Sequence, residues 1–218
     1  VKKYLYGKKL HLQGWIDGKQ GLRLSDIAHY SNMENLEMRD NELAKEFFYD
    51  KEQVTFTVNG RKLNPQDMTA NPVMTVYPNR CFCVCLSSRG NDADLFERFK
   101  ADTCIEVDIL RLVELLKIAA SHLEGVEILH QSVNYYPPLM ARAAPGLLEA
   151  IFFKKDIYAI EDEYRVALTI PAHRKFFKDS TGKRLAIFSD DPDDMRHMFM
   201  NWRDPMVNTS YIVSVCHR

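Results

Sequence analysis

The sequence predicts an α+β fold: one domain built on a mixed or antiparallel sheet with flanking helices. Short β-branched and aromatic runs bounded by turn residues recur along the chain, a capped helix-period segment follows Asp108, and strands and helices do not alternate strictly. The 218 residues, 46% hydrophobic and 27% charged, supply a core for a single domain over 1–218 and exclude disordered, collagen-like and small disulfide-stapled classes. Asn59-Gly60, Pro137-Pro138 and Thr181-Gly182 read as turns inside that domain, with no linker or repeat between them.

Taken in order, Glu34 to Tyr49 is charged, lacks Gly and Pro, and carries Leu36, Leu43, Phe47 and Phe48, which predicts a surface helix or a loop leading into one. Gln53 to Val58 alternates apolar and Thr residues and meets Asn59-Gly60, the pattern of a strand entering a tight hairpin. Val73 to Tyr77 and Cys81 to Leu86 read as strands, the second apolar on both faces and therefore central. Thr103 to Val107 is a short strand. Asp108 caps a helix from Ile109 to about Leu123, with Leu110, Val113, Leu116 or Lys117, and Ala120 on its stripe and Gly125 beyond its end. Val126 to Leu129 and Val133 to Tyr136 form one interrupted strand, and Pro145 opens a helix ending near Phe153. Tyr164 to Ile170, Arg184 to Phe188 and Tyr211 to Cys216 are strands, and Asp191-Pro192 starts a helix reaching about Met200.

With 29 Lys plus Arg against 30 Asp plus Glu, no global field draws the chain to nucleic acid or anionic lipid. No apolar run approaches the roughly 18 residues of a spanning helix, and Val1-Lys2-Lys3-Tyr4 lacks a signal-peptide core, so the expectation is a cytoplasmic protein without a membrane partner. The five cysteines, three of them in one run at Cys81, Cys83 and Cys85, read as reduced core thiols rather than a disulfide framework or a metal site. G-x-G-x-x-G, P-loop, H-E-x-x-H and G-x-S-x-G signatures are missing, and no two histidines stand three or four residues apart.

Ile160 to Leu168 stands out. As a strand it sends Glu161, Glu163 and Arg165 to one face and Ile160, Tyr164, Val166 and Leu168 to the other. Two carboxylates beside a guanidinium can stabilise a developing sugar cation and take a proton from an attacking group. The same row equally describes a half-solvated strand whose charges pair with one another. The acidic stretch from Met33 to Glu42 reads as a solvated face or a helix start, and the dense early aromatics Tyr4, Tyr6, Trp15 and Tyr30 as core or as a stacking surface for a flat ligand.

Lys3-Tyr4-Leu5-Tyr6, Asn32 to Glu42, Arg80 to Ser87, Leu95 to Phe99 and Lys154 to Arg165 together resemble the bacterial domain-of-unknown-function family numbered 2971, over most of residues 1–170. Phe96 stands where that family has Trp, and its early Asn-Asp-Pro is missing. The Glu-x-Glu pair also resembles the motif of arginine-type ADP-ribosyltransferases. That resemblance implies Glu163 as the essential carboxylate against the nicotinamide ribose and Glu161 as the group activating an acceptor. It further implies Arg23 as the early-strand arginine and Ser87-Ser88 in place of a Ser-Thr-Ser strand.

The leading expectation is an ADP-ribosyltransferase-like or NAD-cleaving enzyme with a defence or toxin role. Glu163 and Glu161 would be catalytic, and Arg165, Tyr6, Arg23 and Tyr164 would bind NAD as substrate, without a metal. A small-molecule nucleotide is thus the expected partner, and a protein or nucleic-acid acceptor stays open. The alternatives are a non-catalytic ligand- or partner-binding module and a nucleic-acid-processing protein using Arg174-Lys175-Lys178 and Lys183-Arg184.

Overall fold

The computed structural model describes residues 1–31, 41–191 and 193–218. Strand β1 (Lys2–Gly7) leads into helix α1 (Lys9–Ile16), β2 (Leu22–Asp26) and the one-turn α2 (Ala28–Ser31). Next come β3 (Lys45–Phe48), β4 (Thr57–Val58), β5 (Arg61–Lys62), β6 (Val73–Val76) and β7 (Cys81–Ser87). Helix α3 (Ala93–Arg98), β8 (Thr103–Asp108), α4 (Ile109–Ala120), β9 (Glu127–Ser132) and β10 (Asn134–Tyr136) follow. The chain ends with β11 (Phe153–Lys155), β12 (Glu163–Thr169), β13 (Phe176–Lys178), β14 (Arg184–Ala186), β15 (His197–Met200), α5 (Pro205–Thr209) and β16 (Ile212–His217). This is the expected α+β class.

The main sheet is antiparallel with eight strands in the order β15-β2-β7-β1-β8-β16, while β12 lies along β7 and β9 lies outside β12. One edge of β7 is covered by β12 from Ser87 to Cys81. On the other edge β7 meets β2 at Phe82 and Cys83 and β1 at Ser87, so the sheet forks there. Both faces of β7 are covered, which is why its residues from Cys81 to Leu86 are apolar. Phe82, Val84 and Leu86 join the large core with Leu112, Val113, Leu115 and Leu116 of α4, and Cys81 and Cys83 pack with Ile27, Ile151, Phe152 and Ala167. Helix α4 begins as expected, the Asp108 carboxylate accepting from the Leu110 N–H at 3.1 Å. Its buried stripe runs through Ile109, Leu112, Val113 and Leu116, however, and Leu110 is exposed.

The Asn59-Gly60 hairpin forms, both residues having positive φ (50° and 78°), but the strand before it is only Thr57–Val58. Where a helix was expected up to Tyr49, Lys45–Phe48 pairs with β6 as a strand and residues 41–44 are not helical; residues 32–40, with all of the acidic stretch from Met33 to Glu42 except Asn41 and Glu42, lie outside the described residues. The pairing wins because it buries Phe47 against Tyr136 and Phe153, which a weakly apolar helix face could not match. The expected helix up to Met200 is likewise corrected: His197–Met200 is a strand pairing with β2, and Pro192 lies outside the described residues. The segment expected as one interrupted strand splits at Val133, β9 joining β12 and β10 pairing in parallel with β11. The helix expected from Pro145 shrinks to a 3₁₀ turn at Glu149–Phe152, and the strand expected over Arg184 to Phe188 to β14.

Candidate functional site

The Glu-x-Glu-Tyr-Arg segment does not lie wholly on a strand. Glu161 closes a 3₁₀ turn (Asp156–Glu161), Asp162 turns the chain in the left-handed region at φ 40°, and β12 starts at Glu163. From there the period of two does place Glu163 and Arg165 on one face, opposite Ser87 and Cys85 of β7. Lys154, on β11, reconnects the first glutamate to the row: its Nζ lies 2.7 Å from Glu161 Oε2 and 3.1 Å from Glu163 Oε2.

The row is one part of a larger buried network. Arg165 Nε donates to Glu163 Oε1 at 2.8 Å, while Nη1 and Nη2 hold the two oxygens of Glu42 at 3.0 and 2.8 Å. Nη1 also donates to the Ile151 carbonyl, and Nη2 lies 2.7 Å from Glu163 Oε1, so every N–H of the guanidinium has an acceptor. Lys45 Nζ bonds Glu42 Oε2 at 2.7 Å and the Phe153 carbonyl at 2.6 Å. Arg98 of α3 closes the far end, with Nη2 2.9 Å and Nε 3.1 Å from Glu161 Oε1. All six oxygens of Glu42, Glu161 and Glu163 therefore face a cation. The side chains of Glu42, Lys45 and Arg165 are 1% exposed and that of Glu163 is 4% exposed.

Burial alone would raise the carboxyl pKa values here, but the cations outweigh it. Arg165 and Lys45 take Glu42 down to about 2, and Arg165 and Lys154 hold Glu163 well below the usual carboxylate range. Reciprocally, burial would lower Lys154, yet Glu163 and Glu161 hold it well above the ordinary lysine value. A ligand reaching Glu163 must displace Arg165 or Lys154 from it and then satisfy the exposed charges.

The remaining expected site residues lie elsewhere. Tyr164 is on the opposite face of β12, its hydroxyl 2.7 Å from His130 Nδ1 and its ring under Lys3 at 4.7 Å. Tyr6 anchors the start of α3: its hydroxyl donates to the Arg89 carbonyl at 2.7 Å and accepts from the Asp92 N–H at 2.9 Å, and its ring meets Phe96 edge-on. Arg23 lies on β2 opposite Phe199 of β15. Glu42, Lys45, Lys154 and Arg98 were not expected as site residues, although Glu42 ends the acidic stretch, Arg98 and Lys154 lie in segments that carry the family resemblance, and the alternation Lys45-Glu46-Phe47-Phe48 already places Lys45 on the buried side with Phe47.

On the other side of the fork, a polar cleft of about 380 Å³ is lined by Tyr4, Ser88, Asn91, Glu106, Ser214 and Cys216, among others. A smaller apolar hollow of about 180 Å³ lies between Phe48, Tyr136, Pro138 and Ile157. The network lines neither. Among the described residues no helix is long and apolar enough to cross a membrane. No family model, curated protein or solved structure matches this chain.

Proposed function

We propose that this chain is a non-catalytic binding module for a small polar ligand, in which Glu161, Glu163 and Arg165 hold the fold together. The observation that carries this reading is the pairing of all six carboxylate oxygens of Glu42, Glu161 and Glu163 with buried or half-buried cations. A carboxylate working on an anomeric carbon needs an open face toward the sugar, and Glu163 has none. The Tyr4 cleft, by contrast, is open and falls within the volume range of small-molecule sites.

The test compares the wild-type chain with Glu163→Gln in two measurements, thermal melting and nicotinamide release from NAD. The expected result is a lower melting temperature for the variant and no nicotinamide release by either protein. Nicotinamide release by the wild type that disappears in a still-folded Glu163→Gln protein would overturn the reading in favour of an NAD-cleaving enzyme.

A further inference from the structure

The polar cleft beside the fork holds two of the five cysteines. Cys104 lies on β8 and Cys216 on β16, and the two are direct register partners in the antiparallel sheet. Two residues further along, the Arg218 N–H donates to the Asp102 carbonyl at 2.9 Å. The alternation of the ladder then makes Cys104 and Cys216 a hydrogen-bonded pair, with Cα atoms about 5.5 Å apart. Directly opposite side chains share a face, and here that face lines the cleft, with Tyr4, Glu106 and Ser214 as its next row.

Asn91 meets both sulfurs. Its N–H donates to the Cys104 sulfur, and its side-chain oxygen accepts from Cys216 Sγ at 3.5 Å. Both cysteines are free thiols, Cys104 buried and Cys216 half-buried. Cys216 is therefore the sulfur that a molecule in the cleft reaches first. Burial pushes the Cys104 thiol up, which leaves it the slower nucleophile. The other three cysteines, Cys81, Cys83 and Cys85, stand on β7 and line neither the cleft nor the apolar hollow.

We propose that Cys104 and Cys216 are a reactive dithiol that reduces small-molecule disulfides entering the cleft and closes into a cross-strand disulfide. The Cys216 thiolate attacks one sulfur of the incoming disulfide RSSR; that S–S bond breaks, a mixed disulfide forms on Cys216, and one RSH leaves with the Cys216 proton. Cys104 then attacks Cys216 Sγ, the mixed disulfide breaks, the Cys104–Cys216 bond forms, and a second RSH leaves with the Cys104 proton. The chain gives up two electrons and two protons, and RSSR gains them. The Cα separation lies within the roughly 4.4–6.8 Å that a disulfide spans. The Cβ atoms of a hydrogen-bonded pair, however, stand about 5.5 Å apart against roughly 3.5–4.5 Å in a relaxed bridge, so β16 moves toward β8 by about 1 Å. As the last strand in the sheet order, β16 can make that shift without carrying a further strand with it. The resulting strain keeps the bridge easy to reduce, and the cleft alternates between a dithiol and a disulfide form. The reaction uses the open cleft on which the binding-module reading also rests, but it needs neither a bound ligand nor the role given to Glu163.

The experiment incubates the folded, reduced full chain with oxidised glutathione, quenches with acid, then counts thiols in denaturant and maps linked peptides by mass spectrometry. The wild type is expected to lose two thiols, falling from five to three, with one Cys104–Cys216 link, no retained glutathione and recovery of all five on adding dithiothreitol. Cys104→Ser is expected to stop with one glutathione bound through Cys216, and Cys216→Ser to leave Cys104 unmodified over the same time. The proposal fails if the wild type keeps all five thiols, holds glutathione on Cys216 with Cys104 free, or forms its link through Cys81, Cys83 or Cys85. It fails equally if Cys216→Ser takes up glutathione on Cys104 as fast as the wild type closes its bridge. The wild-type map decides the matter even where a variant does not fold. Nicotinamide release and the melting of Glu163→Gln are read in separate assays, so this proposal and the binding-module reading fail on different results.

Discussion

Glu42→Gln isolates the charge of the network's most enclosed carboxylate. Glutamine has nearly the shape of protonated glutamic acid, so the variant imitates Glu42 with its proton fixed in place. The Glu42 carboxyl falls from an ordinary 4.5 to about 2 in the fold. At about 1.4 kcal/mol per pH unit, its ionised form contributes about 3 kcal/mol of stability at pH 7. Removing one member of a buried pair costs a similar 3–5 kcal/mol or so, here because Arg165 and Lys45 keep their charge. The sign is that of a depressed carboxylate: the contribution is complete above about pH 4.5 and is lost as pH falls toward 2. Urea unfolding of both proteins at pH 7 and at acid pH measures it. The variant should lose about 3 kcal/mol at pH 7, melt roughly 6–12 °C lower, and converge with the wild type in acid. A loss under 1 kcal/mol at pH 7, or one that does not shrink with acid, would refute the reasoning.

Three further outcomes follow from named contacts. Arg165→Lys keeps the charge but not the fork that serves Glu163, Glu42 and the Ile151 carbonyl together, and should lower stability by about 2–4 kcal/mol in the same denaturation assay. Gly21→Ala would set a Cβ 1.7 Å from the Met200 carbonyl oxygen, a backbone atom, so β2 and β15 must separate; more than about 3 kcal/mol should be lost, with faster amide exchange over Leu22–Asp26. Asp108→Ala removes the α4 cap bond to Leu110 and should cost about 1 kcal/mol by thermal melting.

The local sequence signals were enough wherever one segment settles its own structure. The positive-φ pair Asn59-Gly60 makes the hairpin because few other dipeptides adopt that turn, and Asp108 starts α4 because its carboxylate answers an N–H two residues on. The doubly apolar Cys81–Leu86 run determined a central strand, since both of its faces need cover. The tertiary structure decided the rest. Lys45–Phe48 and His197–Met200 are strands because partners far along the chain, β6 and β2, complete their hydrogen bonds, and no window of sequence contains those partners. The Glu161, Glu163, Arg165 spacing was visible at once, but its environment was not. Glu42 lies 123 residues from Arg165, and only the closed fold brings the two within 2.8 Å and excludes water from them. Spacing along a strand establishes which side chains share a face; which face is buried, and by whom each charge is met, is a property of the whole chain.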